Sequence, residues 1–152
     1  MAPIPPAVIR EERGFTLVEL LVVMVVIAIL AAIGIPAFLG QSAKGHDAAA
    51  KSNVKRLSGM IEECRVGDTG RDYTSCNTDA ELGGAPGLDW GGAAGQVGVL
   101  GATAEIYVAW AVSQAKTGGA NHAYYIVKND DGMVYRVCAP AGAGACHSDN
   151  GW

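Results

Sequence analysis

The chain has 152 residues, a formal net charge of −4 and 17% charged residues, and its mean hydropathy is +0.22. This hydropathy is too high for an ordinary soluble domain, and the length allows one domain and one membrane segment. The acidic balance and the absence of a basic patch in the sequence argue against nucleic acid as the main partner.

The first 14 residues are predicted to form a short polar leader. They hold three of the six prolines, show no apolar periodicity, and carry two arginines that two glutamates offset. A cleaved secretory signal peptide is the rival interpretation, but such a signal has a basic start, about 7–15 apolar residues and an Ala-x-Ala-like site. The apolar run that follows here is longer and contains no Ala-x-Ala.

Residues 15–40 predict a helix that can cross a bilayer. No Asp, Glu, Lys or Arg occurs between positions 20 and 43. At about 1.5 Å per residue the apolar part of this helix is about 30 Å long or more, which is enough to span the hydrocarbon core. Pro36 removes a backbone donor and lies close to Gly34, so we expect the helix to kink or loosen there.

Beyond position 40 the helix becomes amphipathic and is predicted to end near residue 65. Asp47 and Lys51 have the spacing of a favourable i,i+4 ion pair. Apolar residues recur at spacings of four, three, four and three, which places them on one helical face. These residues are Ala50, Val54, Leu57, Ile61 and Cys64.

The rest of the chain predicts a glycine-rich loop followed by β-structure. Residues 67–103 contain ten of the 21 glycines and one candidate short strand at 96–100. AEIYVAWAV alternates between two faces, and two more β-rich runs, HAYYIVK and MVYRVC, flank a hairpin signal at 129–132. At least three antiparallel strands need an apolar cover on one face, which the helical stripe supplies. The predicted fold class is α+β.

The segment Arg-Gly-Phe-Thr-Leu-Val-Glu at 13–19 resembles the processing site of type IV pilins, of the pseudopilins of type II secretion and of the pilins of DNA uptake. It combines a glycine at the end of a short leader, Phe15, a lone Glu19 and an unbroken apolar run that contains Pro36. The resemblance implies a pilin-like fold, in which a long N-terminal helix packs on a small antiparallel sheet. It also implies that a membrane-bound prepilin peptidase cuts between Gly14 and Phe15, and that the new Phe15 amine is methylated. In a fibre the Pro36 segment could unwind and stretch, whereas in a membrane helix it need only bend, and both interpretations stay open.

Glu19 needs a partner if it enters the membrane, because an unpaired carboxylate there costs about 2.5–3.5 kcal/mol on insertion scales. The Phe15 amine released by cleavage would be largely cationic at neutral pH, as α-amino groups are. The resemblance implies that this amine and Glu19 pair between neighbouring subunits and set their register during assembly. The alternative is that Glu19 lies in the headgroup zone, where the helix dipole favours it.

All four cysteines follow the apolar run, which suggests disulfides outside the cytoplasm. Four cysteines allow three pairings. We favour Cys64 with Cys76 and Cys138 with Cys146, since each bond closes a short segment. The second bond would hold the C-terminal loop against the last strand, where pilin-like domains commonly carry a disulfide-bounded exposed region.

The sequence predicts no metal site, no cofactor and no enzyme activity. It contains no Cys-x-x-Cys, and the turn at 129–131 does not match an EF-hand loop. Neither Thr16 nor the serines have convincing His and Asp partners for nucleophilic catalysis. The three histidines, His46, His122 and His147, lack ligand spacing.

The predicted organisation is a prepilin leader at 1–14, a transmembrane and assembly half of the helix at 15–40, and an extracellular head at 41–152. The main hypothesis is a structural subunit of a type IV pilus, a helical homo-oligomer. Its partners would be the prepilin peptidase, the assembly machinery in the membrane and, before assembly, the membrane itself. The alternatives are a pseudopilin of a type II secretion or DNA-uptake system, and a membrane-anchored binding domain that does not polymerise.

The predicted localisation is the cytoplasmic membrane for the precursor, with one membrane pass and the head outside, and the cell surface for the assembled filament. The distribution of basic residues taken alone would place the head in the cytoplasm. We give more weight to the cysteines and the processing motif, which both favour the outside.

Overall fold

The computed structural model describes residues 14–67 and 71–152, so most of the predicted leader lies outside the described part of the chain. One long helix precedes four strands that pair in the order β1-β2-β3-β4, and every pair is antiparallel. The α+β class and the antiparallel meander are confirmed. The elements are α1 (Leu17–Gly67), β1 (Val97–Ala102), β2 (Tyr107–Thr117), β3 (Ala120–Lys128) and β4 (Val134–Ala139).

Helix α1 begins two residues later than predicted, because Thr16 caps it. The carbonyl of Thr16 accepts the first backbone hydrogen bond, from Leu20 at 3.2 Å. The helix continues through Gly34 and Pro36, and the kink or loosening expected there stays a prediction. The chain divides into two compact units, the first ending at Phe38 and the second comprising Leu39–Trp152.

In the first unit, the described part of α1 exposes apolar side chains. Its large apolar side chains from residue 17 to residue 38 are 49–79% exposed. Within the described residues, α1 is the one helix that is long and apolar enough to cross a membrane.

The second unit is closed around a core between the later part of α1 and one face of the sheet. The helix buries Ala50, Val54, Leu57 and Ile61, as its periodicity predicts, whereas Cys64 is only partly buried. The side chains of β2 alternate, and the face that carries Tyr107, Ala109 and Ala111 is the buried one.

Strand β1 extends the meander beyond the three strands that the alternating runs require. It corresponds to the short strand predicted at 96–100 and pairs with β2 with an irregularity between Val99 and Gly101. Gly98 is required here, because a β-carbon at this position would lie 2.7 Å from the ring of Trp110 on the neighbouring strand.

Candidate functional site

The first turn of α1 forms a reciprocal cap between Thr16 and Glu19. The Thr16 backbone N–H and its hydroxyl both donate to Glu19 Oε2, each at 2.8 Å, and the Glu19 backbone N–H donates to Thr16 Oγ1 at 3.2 Å. This is a capping box, in which the first and fourth residues of the helix start satisfy each other's backbone donors. Sequence reasoning missed it, although the signal Thr-x-x-Glu before an apolar run was available.

The cap lies next to the predicted processing site. Phe15 is 91% exposed, and together with Leu20 and Val23 it lines an apolar hollow beside Glu19. A β-carbon on Gly14 would meet no atom within 4 Å. The described fold therefore does not require glycine at position 14, which leaves recognition by another protein as a reason for this residue.

Two disulfides close the head, and they are the two pairings that the sequence analysis favours. Cys64 near the end of α1 is bonded to Cys76 in the irregular segment before β1. Cys138 on β4 is bonded to Cys146 in the C-terminal loop. The first bond ties the helix end to the loop that follows it, and the second holds the loop of residues 139–145 against the sheet.

A buried acid and histidine join α1 to β3. Asp47 and His122 are 1% and 2% exposed, and His122 Nδ1 lies 2.9 Å from Asp47 Oδ1 and 3.1 Å from Oδ2. Because a carboxylate only accepts, Nδ1 carries a proton. The other ring nitrogen lies 2.8 Å from the hydroxyl of Thr117. Asp47 faces inward and continues the buried stripe, so it makes no ion-pair contact with Lys51 within 4.0 Å. The predicted favourable interaction persists at longer range, because burial lowers the pKa of Lys51 and the charge of Asp47 opposes this.

The same acid holds the C-terminal disulfide loop. Asp47 Oδ2 accepts from the Ala145 backbone N–H at 3.2 Å, and Lys51 Nζ donates to the Ala145 carbonyl at 2.9 Å. A β-carbon on Gly144, whose φ is +59°, would overlap Asp47 and the His122 ring. The sequence analysis weighed only Thr16 and the serines for His and Asp partners, whereas the structure places the Thr117 hydroxyl beside His122, which contacts Asp47. We assign this set a structural role, because loop backbone covers the imidazole.

A second polar cluster surrounds Tyr73 near the end of α1. The Tyr73 hydroxyl donates to Glu62 Oε2 at 2.8 Å and accepts from Lys128 Nζ at 2.6 Å. Lys128 also pairs with Glu62 Oε1 at 3.0 Å. Partial burial opposes ionisation of Glu62, but hydrogen bonds from Lys128 and Tyr73 lower its pKa overall. The hydrogen bond to Tyr73 raises the pKa of Lys128, against the effect of burial.

The described residues were also compared with the requirements of a metal site. Within residues 14–67 and 71–152, no three His, Cys, Asp or Glu side chains lie close enough together to hold a metal ion. The chemistry that the structure offers is hydrogen bonding, ion pairing and covalent closure of the head, together with exposed apolar helix.

A known family matches the N-terminal part of the chain, and known proteins are similar to parts of the chain. Residues 9–35 match the family described as the prokaryotic N-terminal methylation motif. The chain is 51% identical to the type IV major pilin protein PilA of Myxococcus xanthus over 47 residues, which are 31% of this chain and 21% of that protein.

Two further relatives extend the similarity into the head. The type IV major fimbrial protein FimA of Dichelobacter nodosus is 36% identical over 78 residues, or 48% of this chain and 50% of that protein. The type II secretion system core protein G of Dickeya chrysanthemi is 34% identical over 53 residues, or 35% of each chain. No solved structure matches the chain significantly. This chain spans between about a fifth and a half of the length of these relatives.

The predicted resemblance is thus confirmed for the N-terminal segment. Residues 9–35 carry the methylation motif, and stretches of 47 to 78 residues of the chain are similar to the type IV pilin PilA, the type IV fimbrial protein FimA and the secretion protein G.

Proposed function

We infer that this chain is the structural subunit of a type IV pilus filament. It is made as a precursor with a leader at 1–14 and is anchored in the cytoplasmic membrane by residues 15–40, with the head at 41–152 outside. The prepilin peptidase cuts after Gly14, Phe15 is methylated, and the assembly machinery moves subunits from the membrane into a helical homo-oligomer at the cell surface. The role is structural rather than enzymatic.

The observation that carries this function is the exposed apolar surface of the first unit. A run of large apolar side chains that are 49–79% exposed is not stable in water without a cover. Lipid supplies that cover before assembly, and the helices of neighbouring subunits supply it in the filament. A single membrane anchor would also satisfy the apolar surface, but it would not explain the Gly14–Phe15 junction.

Glu19 is suited to pairing with a neighbouring amine. Its Oε2 is engaged by Thr16, whereas Oε1 accepts no hydrogen bond from the described residues. One carboxylate can therefore cap its own helix and still accept from the Phe15 amine of another subunit. In an apolar environment this charge-assisted contact offsets the insertion cost of both groups.

The closed head fits exposure outside the cell. Its two disulfides persist in an oxidising compartment. The apolar half of α1 contributes no residue to its core. A pseudopilin is the second candidate, and the similarity to the secretion core protein G over 53 residues favours it. The two candidates share processing and polymerisation and differ in the length and location of the polymer.

The test is to purify surface filaments and determine the N-terminus of their subunit by mass spectrometry. We expect a chain that begins at Phe15 and carries one extra methyl group. Gly14→Leu should abolish cleavage and leave full-length precursor in the membrane, while Gly40→Ala, another open glycine position, should be processed normally. Wild-type subunits that begin at Met1 or between positions 34 and 37 would refute the proposal, and short periplasmic polymers without surface filaments would favour the pseudopilin.

A further inference from the structure

The side chain of Trp152 is surrounded by three cations. Lys51 Nζ, Lys55 Nζ and the guanidinium carbon of Arg136 lie 5.5, 5.4 and 5.7 Å from the centre of its ring. The indole N–H donates to the Val137 carbonyl at 2.9 Å, which fixes the ring against β4. We refer to Trp152, Lys51, Lys55 and Arg136 as the Trp152 cluster.

The three cations of the Trp152 cluster have no ion-pair contact with a carboxylate among the residues that the structure describes. The ion pairs of the described residues are Asp47 with His122 and Glu62 with Lys128, so none of the three cations reaches a carboxylate within 4.0 Å. Asp149 lies in the same C-terminal segment, but its carboxylate accepts from the Gly151 backbone N–H at 3.0 Å. Burial lowers the pKa of Lys51, the buried Asp47 opposes this, and the like charge of Lys55 adds to it.

An exposed patch of the opposite charge lies elsewhere on the head. Glu105 follows β1, and Asp130 lies in the turn between β3 and β4, and together they line one hollow of about 640 Å³. Asp131 is next to them and is held in the turn by the Met133 backbone N–H. None of the three forms an ion pair with the described residues. We refer to Glu105, Asp130 and Asp131 as the acidic turn.

The two surfaces lie at different levels along α1. Lys128, the last residue of β3, contacts Glu62, so the acidic turn lies at that end of the helix. Lys51 and Lys55, the two residues of the Trp152 cluster on α1, precede Glu62 by eleven and seven residues. This separation is about 10–16 Å along the helix axis at 1.5 Å per residue. Copies stacked along a common helix direction can therefore bring the cluster of one copy to the acidic turn of the next.

We propose that the Trp152 cluster of one subunit binds the acidic turn of a second copy of this chain in the filament. The proposal rests on the proposed function, because it needs copies that repeat along the helix direction. Two different surfaces that meet in this way form a heterologous contact, which generates an open helical polymer. Its charges set the register and partner choice of neighbouring heads, and salt weakens it.

The test is charge reversal on each side, followed by their combination. Lys55→Glu and Asp130→Lys should each reduce the yield of sheared filaments by about tenfold or more, because each creates a like-charge contact. The double variant Lys55→Glu with Asp130→Lys should recover most of the wild-type yield. Lys116→Glu and Asp89→Lys, two reversals on exposed sites outside both surfaces, should have little effect.

The double variant also separates assembly from folding. Lys55→Glu removes a cation from the Trp152 ring and could destabilise the head, but a distant Asp130→Lys would not repair such a defect. Wild-type yield from both single variants would overturn the proposal, as would a double variant no better than the singles. The proposal would also be overturned if Lys55→Glu formed normal filaments but bound single-stranded DNA less well than wild type. The Trp152 cluster would then be a nucleic-acid binding surface. Failure of the wild-type chain to form any polymer would instead refute the proposed function.

Discussion

The two halves of α1 are helical for different physical reasons. Between positions 17 and 38 the large apolar side chains surround the helix and are exposed, so this half depends on a surrounding apolar phase. Between positions 39 and 67 the helix buries one stripe, which includes Asp47, and exposes most of its other charged residues to water, so its own head supports it. Substitutions in the exposed half should therefore change filament yield. Substitutions in the half that packs on the head should change the unfolding free energy of the head.

The largest effect is expected at Glu19, the lone charge of the exposed half. Glu19→Val removes both the capping box and the charge, and we expect membrane insertion and cleavage to persist while filaments are lost. Glu19→Gln separates the two roles, because glutamine also serves at this position of a capping box but carries no charge. The measurement is the ratio of sheared filament to membrane-retained subunit by immunoblot.

Glu19→Gln should therefore fail to assemble as Glu19→Val does. Thr16→Ala is the matched control, since it removes the other half of the capping box and leaves the carboxylate in place. Thr16→Ala should assemble at a reduced but measurable level. Wild-type filament yield from Glu19→Gln would show that helix capping is the whole role of this residue, and the pairing with Phe15 would have to be abandoned.

The largest effect on folding is expected at Asp47, where the helix, β3 and the disulfide loop meet. Asp47→Ala should destabilise the head by about 2–6 kcal/mol, because it leaves two donors, His122 Nδ1–H and the Ala145 backbone N–H, without their acceptor at a cost of about 1–3 kcal/mol each. Lys51→Met should have a smaller effect, since it removes only the bond to the Ala145 carbonyl. Denaturant unfolding of the full chain in detergent can be followed by fluorescence, because Trp90, Trp110 and Trp152 all lie in the head.

Equal unfolding free energies for wild type and Asp47→Ala would mean that the disulfide alone holds the C-terminal loop. Non-reducing peptide mapping should show the Cys138–Cys146 bond in both wild type and Asp47→Ala. A difference in unfolding free energy then comes from loss of the contacts of Asp47 and not from loss of the disulfide.

A matched pair of leucine truncations contrasts the two halves directly. Leu57→Ala in the buried stripe should cost about 2–5 kcal/mol of head stability through lost contacts and a cavity. Leu21→Ala in the exposed half should change the same fluorescence transition by less than about 0.5 kcal/mol, as surface substitutions do. A large effect of Leu21→Ala on the tryptophan signal would mean that the two halves unfold together.

Local patterns allowed most of the fold to be predicted. Spacings of three and four predicted the buried helical stripe, alternation and an Asn-Asp-Asp-Gly turn predicted the meander, and short separations favoured the two disulfides. Each of these signals lies within about a dozen residues of sequence. The capping box at Thr16 was equally local and was missed only because the resemblance explained Glu19 by itself.

The buried polar clusters could not be found in the same way. Asp47 and His122 are 75 residues apart, and so no local pattern joins them. Asp47 does precede Ala50 by three and thus continues the stripe, but a charged residue is almost never fully buried without a partner. A surface pairing with Lys51 was therefore the better expectation from sequence, but the structure buries Asp47, whose carboxylate accepts from His122 and from the Ala145 backbone N–H.

The smallest expected effect concerns pH and the cluster around Tyr73. Because the folded state lowers the pKa of Glu62, its stabilisation is present above the unfolded value of about 4.3 and is lost as pH falls through the folded value. The pKa of Lys128 is raised, so its contribution is present below about 10.4 and is lost as pH rises through the folded value. Glu62 and Lys128 are partly solvated, so their pair should contribute less than about 1 kcal/mol. The unfolding free energies of wild type and Glu62→Gln should therefore differ above about pH 5, converge as pH falls below the carboxylate range, and approach each other again only above about pH 10.4, where Lys128 loses its proton.

Glu63→Gln is the matched control for this pH profile, because Glu63 is the exposed neighbour of Glu62 and forms no ion pair with the described residues. Its unfolding free energy should follow that of wild type across the whole range. A difference between wild type and Glu62→Gln that stays constant down to about pH 3 would assign the effect to hydrogen-bond geometry at the Tyr73 hydroxyl rather than to charge, since below the carboxylate pKa the two side chains are both neutral. Convergence in acid would instead show that the end of α1 in the head is held by an ionised pair, in contrast to the uncharged surface of its exposed half.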